Sequence, residues 1–258
     1  MGGSIKGVVL CGGKGVRLRP LTYYFQKTMI PIGPLQKPLL EYIIRLLRYH
    51  GVVDIVLLVG YKSAQIKNYF GNGRRFNVSI NYVEDNPETP GTGGALLNAY
   101  LNKAVGAHDR IIVYYGDILS DINLRRMLEH HEAVGSMATL ATAKGYKVSV
   151  GVVRTESSGR IESIVEKPVL PLKVGIGILA LEGRVLEVLR DLRKKTVGEL
   201  DIMGDLMPYL VSQGYPVYAY EEDCFWYDVG STERYEKLDN NLVEEKFSFL
   251  FGKGELLI

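Results

Sequence analysis

Four short runs rich in β-branched residues, at 5–10, 54–59, 78–83 and 110–114, are separated by stretches whose apolar residues recur every three or four positions. Each run is short and bounded by polar turns, so it reads as a buried strand, and the stretches between read as helices with one apolar face. The resulting order, β, α, β, α, β, α, β, restricts the fold more than any other feature. Strands joined by helices run parallel and need helices on both faces of their sheet. The expected architecture is α/β and doubly wound: a Rossmann-like, mixed and mostly parallel sheet.

Helices are expected at 37–50, where "KPLLEYIIRLLRYH" is closed by Gly51, at 63–70, opened by Ser63, and at 93–105, opened by Thr92. Another is expected at 124–134, where Leu124, Met127, Leu128 and His131 share a face. Beyond it the texture changes. "SMATLATA", "VSVGVVRT", "GRIESIVEK" and "VGIGILAL" are strand-like, and "ESSGR" is the clearest turn. Helices at 182–192 and 199–213, a strand at 215–220 and a last helix over about 232–246 complete the pattern. No repeat or linker divides the 258 residues, 47% of them hydrophobic, so a single domain is expected. The apolar tail 247–258 is expected to pack on the body or on a neighbouring subunit.

The 31 basic and 29 acidic side chains nearly cancel. A protein held to nucleic acid by bulk charge is therefore not expected, and any affinity for phosphate must come from local placement. Cys11 and Cys224 lie far apart, without C-x-x-C or metal-ligand spacing, which argues against a disulfide framework or a zinc site. The longest strongly apolar run, "IVLLVG" at 55–60, falls far short of the ~20 residues that span a bilayer. The start, "MGGSIK", has no signal-peptide stretch and carries Lys6 where a myristoylation motif needs Ser or Thr. The expectation is a cytoplasmic protein with reduced thiols, bound to neither membrane nor nucleic acid.

After the first strand comes "CGGKGVRLRPLT" at 11–22, at the sheet edge where open α/β folds bind ligands. Gly12, Gly13 and Gly15 let backbone N–H groups approach phosphate closely, and Arg17 and Arg19 add charge-assisted hydrogen bonds. A nucleoside triphosphate suits this loop. The dinucleotide fingerprint fails, because Leu18 stands where its third glycine belongs, and the ATP-binding G-x-x-x-x-G-K-[ST] fails because Gly15 follows Lys14. No acidic residue follows the second strand in "LLVGYKSAQ", which counts against a dehydrogenase.

Six words in order carry a more specific signal. "LCGGKGVRLRPLT" resembles the signature L-A-G-G-x-G-T-R-L-x-P-L-T of the sugar-1-phosphate nucleotidylyltransferases, and "QKTMIPIGPLQKPLLEYII" resembles that family's P-K-x-M-x-P-x-x-x-K-P-L-x-E-Y-I-I. "PGTGGAL", "YYGDILSD", "IVEKP" and "FWYDVGSTERY" follow in the family's order, so the resemblance runs from about residue 7 to 240. It implies an enzyme that joins a nucleoside triphosphate to a sugar 1-phosphate and releases pyrophosphate. Residues of about 5–135 would then form a nucleotide-binding half and about 136–246 a sugar-phosphate-binding half. Glucose 1-phosphate with dTTP or UTP, and mannose 1-phosphate with GTP, are the leading substrate pairs. The family also implies oligomers, for which the apolar tail offers an interface. Without hexapeptide repeats, the acetyltransferase β-helix that relatives often carry is not expected here.

By the same resemblance, Arg17 clamps the leaving pyrophosphate with a guanidinium that engages two oxygens at once, and Lys27 reaches the sugar phosphate and the α-phosphate. Asp117, at the end of a buried strand, and Asp228, remote in sequence, would hold one Mg²⁺ together with phosphate oxygens and water. Asp121 resembles the motif's second acid, with a helix-start role preferred. Glu166 would accept from sugar hydroxyls and Lys167 neutralise the sugar's phosphate, while Gly151 and Gly175 would let strands pass close to the sugar ring. The base is expected near Leu10 and Gly12, against a wall running from Asn86 through Gly91 to Thr92. Asn86 stands where relatives often carry a glutamine that reads a base edge. Each residue alone admits a plainer reading: a solvated turn for the loop, a cap for either aspartate or Thr92, an exposed pair for Glu166 and Lys167. Cys11 reads as packing. His50, His130 and His131 form no metal pair at helical spacing.

Several positions depart from the family's pattern. Val16 lacks the hydroxyl of the usual threonine. Gln26 and Thr28 replace prolines beside Lys27, which should set that lysine less rigidly. Val150 replaces a tyrosine, and Lys173 stands where an asparagine normally meets the sugar. These departures point to an unusual sugar preference, or to a regulatory subunit of the same fold that binds nucleotide without turnover. Retention of Arg17, Lys27, Asp117, Lys167 and Asp228 favours the enzyme.

Overall fold

The computed structural model describes residues 4–148 and 150–252; Ser149 and the ends 1–3 and 253–258, the last including half of the expected tail, lie outside the described residues. In chain order the first half contains β1 (Ile5–Cys11), β2 (Pro31–Ile32), β3 (Lys37–Pro38), α1 (Leu39–Tyr49), β4 (Asp54–Val59), α2 (Ser63–Phe70), β5 (Ser79–Glu84), α3 (Thr92–Leu101), β6 (Arg110–Tyr115), β7 (Ile118–Ser120) and α4 (Leu124–Ala133). The second half contains β8 (Ala138–Lys147), β9 (Val152–Thr155), β10 (Ile161–Val165), β11 (Val169–Glu182), α5 (Val185–Arg193), α6 (Met207–Ser212), β12 (Val217–Glu221), β13 (Trp226–Asp228), α7 (Thr232–Glu236) and α8 (Asn240–Phe247).

One seven-stranded sheet, ordered β12-β8-β11-β6-β1-β4-β5, runs through both halves. β6, β1, β4 and β5 are mutually parallel and β12 parallels β8, whereas β11 runs antiparallel to both its neighbours. The expected doubly wound, mostly parallel sheet is thus present. Its two faces follow from the period of two along each strand. β4 sends Ile55, Leu57 and Val59 into a core covered by α1, α2, α4 and α8. Its Val56 and Leu58 enter a second core under α3, α5 and α6.

Helix boundaries differ from expectation where caps intervene. The last helix is two, because the Asp239 carboxylate accepts from the Asn241 amide at 2.9 Å and starts α8 afresh. Thr92 is not the cap of α3: Gly91 holds that position without a side-chain cap, and the Thr92 hydroxyl instead donates to Asp201 at 2.7 Å and accepts from the Ile202 amide at 2.9 Å. β9 and β10 form a separate two-stranded sheet around the expected turn, where Gly159 adopts φ +85°. The tail packs on the body as far as it is described, with the Phe251 ring 5.1 Å from that of Tyr42 and 4.5 Å beneath the Arg45 guanidinium. No helix among the described residues is long and apolar enough to cross a membrane.

Candidate active site

The carboxyl ends of β1 and β6 lie side by side, so the loops that leave them meet. Gly15 turns the first loop at φ +60°, held by the Thr22 hydroxyl and the Leu18 amide, each 2.9 Å from its carbonyl. A methyl group at Gly15 would lie 2.8 Å from Thr22 Cγ2, so a glycine is required. Around Gly13 there is open space. Val16 is 55% exposed, and a hydroxyl braces the loop from Thr22 instead.

Gln26 and Thr28 do the opposite of loosening Lys27. Gln26 is 0% exposed; its Nε2 donates to the Cys11 carbonyl, and its Oε1 accepts from both the amide and the hydroxyl of Thr28 at 2.6 Å. The Gln26 amide in turn donates to Gln65 Oε1 at 2.6 Å. This brace ties the end of β1 to the 3₁₀ turn Lys27–Met29 and aims Lys27 at Asp117, with which it forms an ion pair. Hydrogen bonds to buried backbone groups replace the stiffness that proline would supply. Burial raises the Cys11 thiol to about 12, in keeping with packing and not with a nucleophile.

Asp228 reaches the same place by a short ladder: β13 pairs antiparallel with β7, setting Asp228 opposite Ile118, and the Val229 amide donates to the Asp117 carbonyl at 2.8 Å. Its Oδ1 accepts from the Gly230 amide at 2.7 Å, and its other oxygen pairs with Arg234. The Arg17 guanidinium covers Gly230, where an added methyl group would lie 3.2 Å from its Nη2, and the Thr232 hydroxyl donates to the Arg19 carbonyl at 3.1 Å. Asp117, Asp228, Arg234, Tyr146, Gly175 and Trp226 line one cavity of about 310 Å³. Lys27 borders it through its ion pair with Asp117, and Arg17 lies over Gly230, two residues from Asp228.

The residues expected on the sugar side divide. Gly175 lines the cavity at an irregularity in the β11–β8 register. Gly151, Glu166 and Lys167 cluster at the open end of the β9–β10 sheet, an arm beside the main sheet, a methyl group at Gly151 standing 3.0 Å from Glu166 Oε2, with Glu166 and Lys167 side chains 69% and 57% exposed. Lys237 chiefly, then Arg234 and Lys167, hold the Glu233 carboxyl below its ordinary range. Lys173 does not reach the cavity, since its ammonium pairs with Glu221 at 3.1 Å. Asp121 is not a helix start. The Asn123 side chain caps α4, while Asp121 accepts from the Phe225 amide at 2.8 Å and anchors the segment that carries Asp228.

Of the residues expected to flank a base, Asn86 is occupied in a turn, its Oδ1 accepting from the Glu88 amide at 2.9 Å. Gly91, at φ +91°, lies against the Leu200 backbone, whose carbonyl takes the Gly93 amide at 2.8 Å. Leu10 is half-buried and its carbonyl accepts from the Gly116 amide at 3.2 Å, fixing β1 against the strand that ends in Asp117. Sequence pattern does not single out Arg234 or Asp85, and it marks Gln26 only as a departure that should loosen Lys27, not as a brace. Asp85 could have been found by counting strand ends, since it stands one residue past β5 as Gly12 does past β1. No group of three or more His, Cys, Asp or Glu side chains poised for a metal occurs among the described residues.

Known proteins resemble the chain along most of its length. The nucleotidyl transferase family profile matches residues 6–245. The chain is 35% identical over 245 residues to a UTP–glucose-1-phosphate uridylyltransferase of Synechocystis sp., covering 90% of this chain and 61% of the relative. It is 30% identical to the mannose-1-phosphate guanylyltransferase of Mycobacterium tuberculosis, covering 93% and 65% respectively. The chain thus spans less than two thirds of the length of these relatives. In fold it superimposes on a putative glucose-1-phosphate thymidylyltransferase from Bacillus anthracis with a TM-score of 0.74 at 22% identity, covering 98% of this chain and 99% of that one. From the profile match over most of its length, joined to the ordered words that converge on one sheet edge, the chain belongs to the nucleotidyl transferase family.

Proposed function

We propose that this chain transfers a nucleotidyl group from a nucleoside triphosphate to a sugar 1-phosphate, giving an NDP-sugar and pyrophosphate. One observation carries the reading: the β7–β13 ladder draws Asp228 beside Asp117, and Lys27 and Arg17 approach the same opening from the glycine loop. An ionised phosphate oxygen of the sugar attacks the α-phosphorus in line. Its bond forms as the bond to the oxygen bridging toward the β-phosphate breaks, and that electron pair leaves on pyrophosphate. No proton need move, so the protein's task is to neutralise and align two anions.

On this reading the amides of Gly13 and Gly15 and the Arg17 guanidinium hold the departing phosphates, and the Lys27 ammonium holds the α-phosphate. Glu166 and Lys167 meet the sugar and its phosphate from the arm, with Gly175 beneath. Asp117 and Asp228 are the residues that would hold Mg²⁺. Two carboxylate donors beside an open phosphate site suit an ion that takes its remaining ligands from phosphates and water. When bound, Mg²⁺ supplies charge neutralisation and a template for the two substrates. The partners are small anions available in a cytoplasm, not nucleic acid or membrane.

The test is a matrix of nucleoside triphosphates against sugar 1-phosphates, scored by pyrophosphate release with and without Mg²⁺. Release is expected in at least one combination, only with the metal, and reduced at least about a hundredfold by Asp117→Asn or Asp228→Asn. Tight nucleotide binding with no release in any combination would instead identify a regulatory subunit.

A further inference from the structure

Asp228 ends β13 with both of its oxygens taken. Oδ1 accepts from the Gly230 amide at 2.7 Å, and the second oxygen pairs with the guanidinium of Arg234, six residues on in α7. Asp117 carries the Lys27 ammonium in the same way. Two carboxylates thus face two cations, and these four side chains sum to no net charge with which to attract a free divalent ion.

The two cations are held differently. Lys27 stands on the 3₁₀ turn that Gln26 braces. Arg234 is fixed through its backbone, since its amide donates to Ser231 Oγ at 3.3 Å and its carbonyl accepts from the Tyr227 hydroxyl at 2.7 Å. Among the described residues its guanidinium has no hydrogen bond or ion pair besides Asp228, and its side chain is 41% exposed. The adjacent Glu233 is engaged with Lys237 at 2.5 Å. Arg234 also lines the cavity, together with Tyr146, Gly175 and Trp226. By rotating its long side chain a guanidinium that leaves Asp228 can stay in this cavity, where a phosphate would meet its fork of donors.

Resting on the proposed function, we infer that Arg234 stands in for the divalent ion on Asp228 in the ligand-free protein, and exchanges that carboxylate for the phosphate of the sugar 1-phosphate once metal and nucleotide are in place. The exchange ties sugar-phosphate binding to occupation of the metal site. An uncharged residue at position 234 removes the ion's competitor and the phosphate's donor together, so metal affinity rises while sugar-phosphate affinity falls. Damage to the fold would lower both.

Mn²⁺ titration of the nucleotide-free full chain, read by loss of the free ion's paramagnetic resonance signal, tests the first half. Arg234→Met and Arg234→Gln should each bind Mn²⁺ about fivefold more tightly than the unaltered protein, the contribution expected of a part-exposed ion pair. Asp228→Asn added to either should remove the gain. In pyrophosphate release, KM for the sugar 1-phosphate should rise about tenfold or more in the two single variants, as loss of a charged hydrogen bond to phosphate implies. Trp226, the chain's single tryptophan, lines the same cavity, and its native emission shows that a variant is folded. Mn²⁺ affinity unchanged or lowered in the folded variants would overturn the inference, as would an unchanged KM. In either case pyrophosphate release by the unaltered protein leaves the proposed reaction standing. No release from the unaltered protein in any substrate combination would sink that reaction and the exchange with it.

Discussion

Replacing Gln26 with methionine keeps the length of the side chain and removes its amide. In the native protein that amide, fully buried, serves the Cys11 carbonyl and the amide and hydroxyl of Thr28. The Thr28 hydroxyl retains Cys11 Sγ as a partner, so two buried backbone groups are stranded. Each unsatisfied group costs about 1–3 kcal/mol, and the added apolar atoms recover about 1 kcal/mol, for a net loss of about 1–5 kcal/mol. Because the brace also fixes the turn bearing Lys27, the variant should lose at least about tenfold in kcat/KM for the nucleotide under conditions where it is folded. Equilibrium urea unfolding with an unchanged m-value measures the first effect, and pyrophosphate release measures the second. A stability loss below about 1 kcal/mol together with unaltered kinetics would refute the account, since it would mean that Lys27 is held by other contacts.

Two further outcomes concern stability. Gly91→Ala should cost about 2–4 kcal/mol in the same unfolding experiment, because alanine resists φ +91° and its methyl group would lie 2.8 Å from the Leu200 nitrogen. His50 closes α1, and burial, then Arg125, lowers its pKa from 6.5 to about 4. Between those values the unfolded chain binds the proton and the folded one does not, so this contribution is intact above 6.5 and is lost as pH falls toward 4. His50→Gln should therefore narrow the gap between urea midpoints at about pH 7.5 and 5, by on the order of 1 kcal/mol after solvent screening.

The doubly wound fold is legible in the chain because its signal is local. Alternate residues of β4 enter opposite cores, and α1 buries Leu39, Leu40, Ile43, Ile44 and Leu47 on one side. Periods of two and 3.6 are written in neighbouring residues and need no knowledge of the rest of the chain. The glycine loop and the two aspartates are legible for another reason, as words that resemble those of a family. Where expectation failed, a competing partner stood far away: Thr92 met Asp201, Asp121 met Phe225, Lys173 met Glu221, and Gln26 met Gln65 and the Cys11 carbonyl, bracing what it was expected to loosen.

Taken alone, then, the sequence determined the strand and helix order, the two-faced core and the residue types available for binding phosphate. Only the tertiary structure decided that Asp228 stands beside Asp117, that Arg234 covers one of its oxygens, and that Asp85 crosses two bare glycines. The physical reason is range. Periodicity and turn chemistry act over a few residues, whereas each of these contacts is set by strand register and by loops that meet only once the whole sheet has closed.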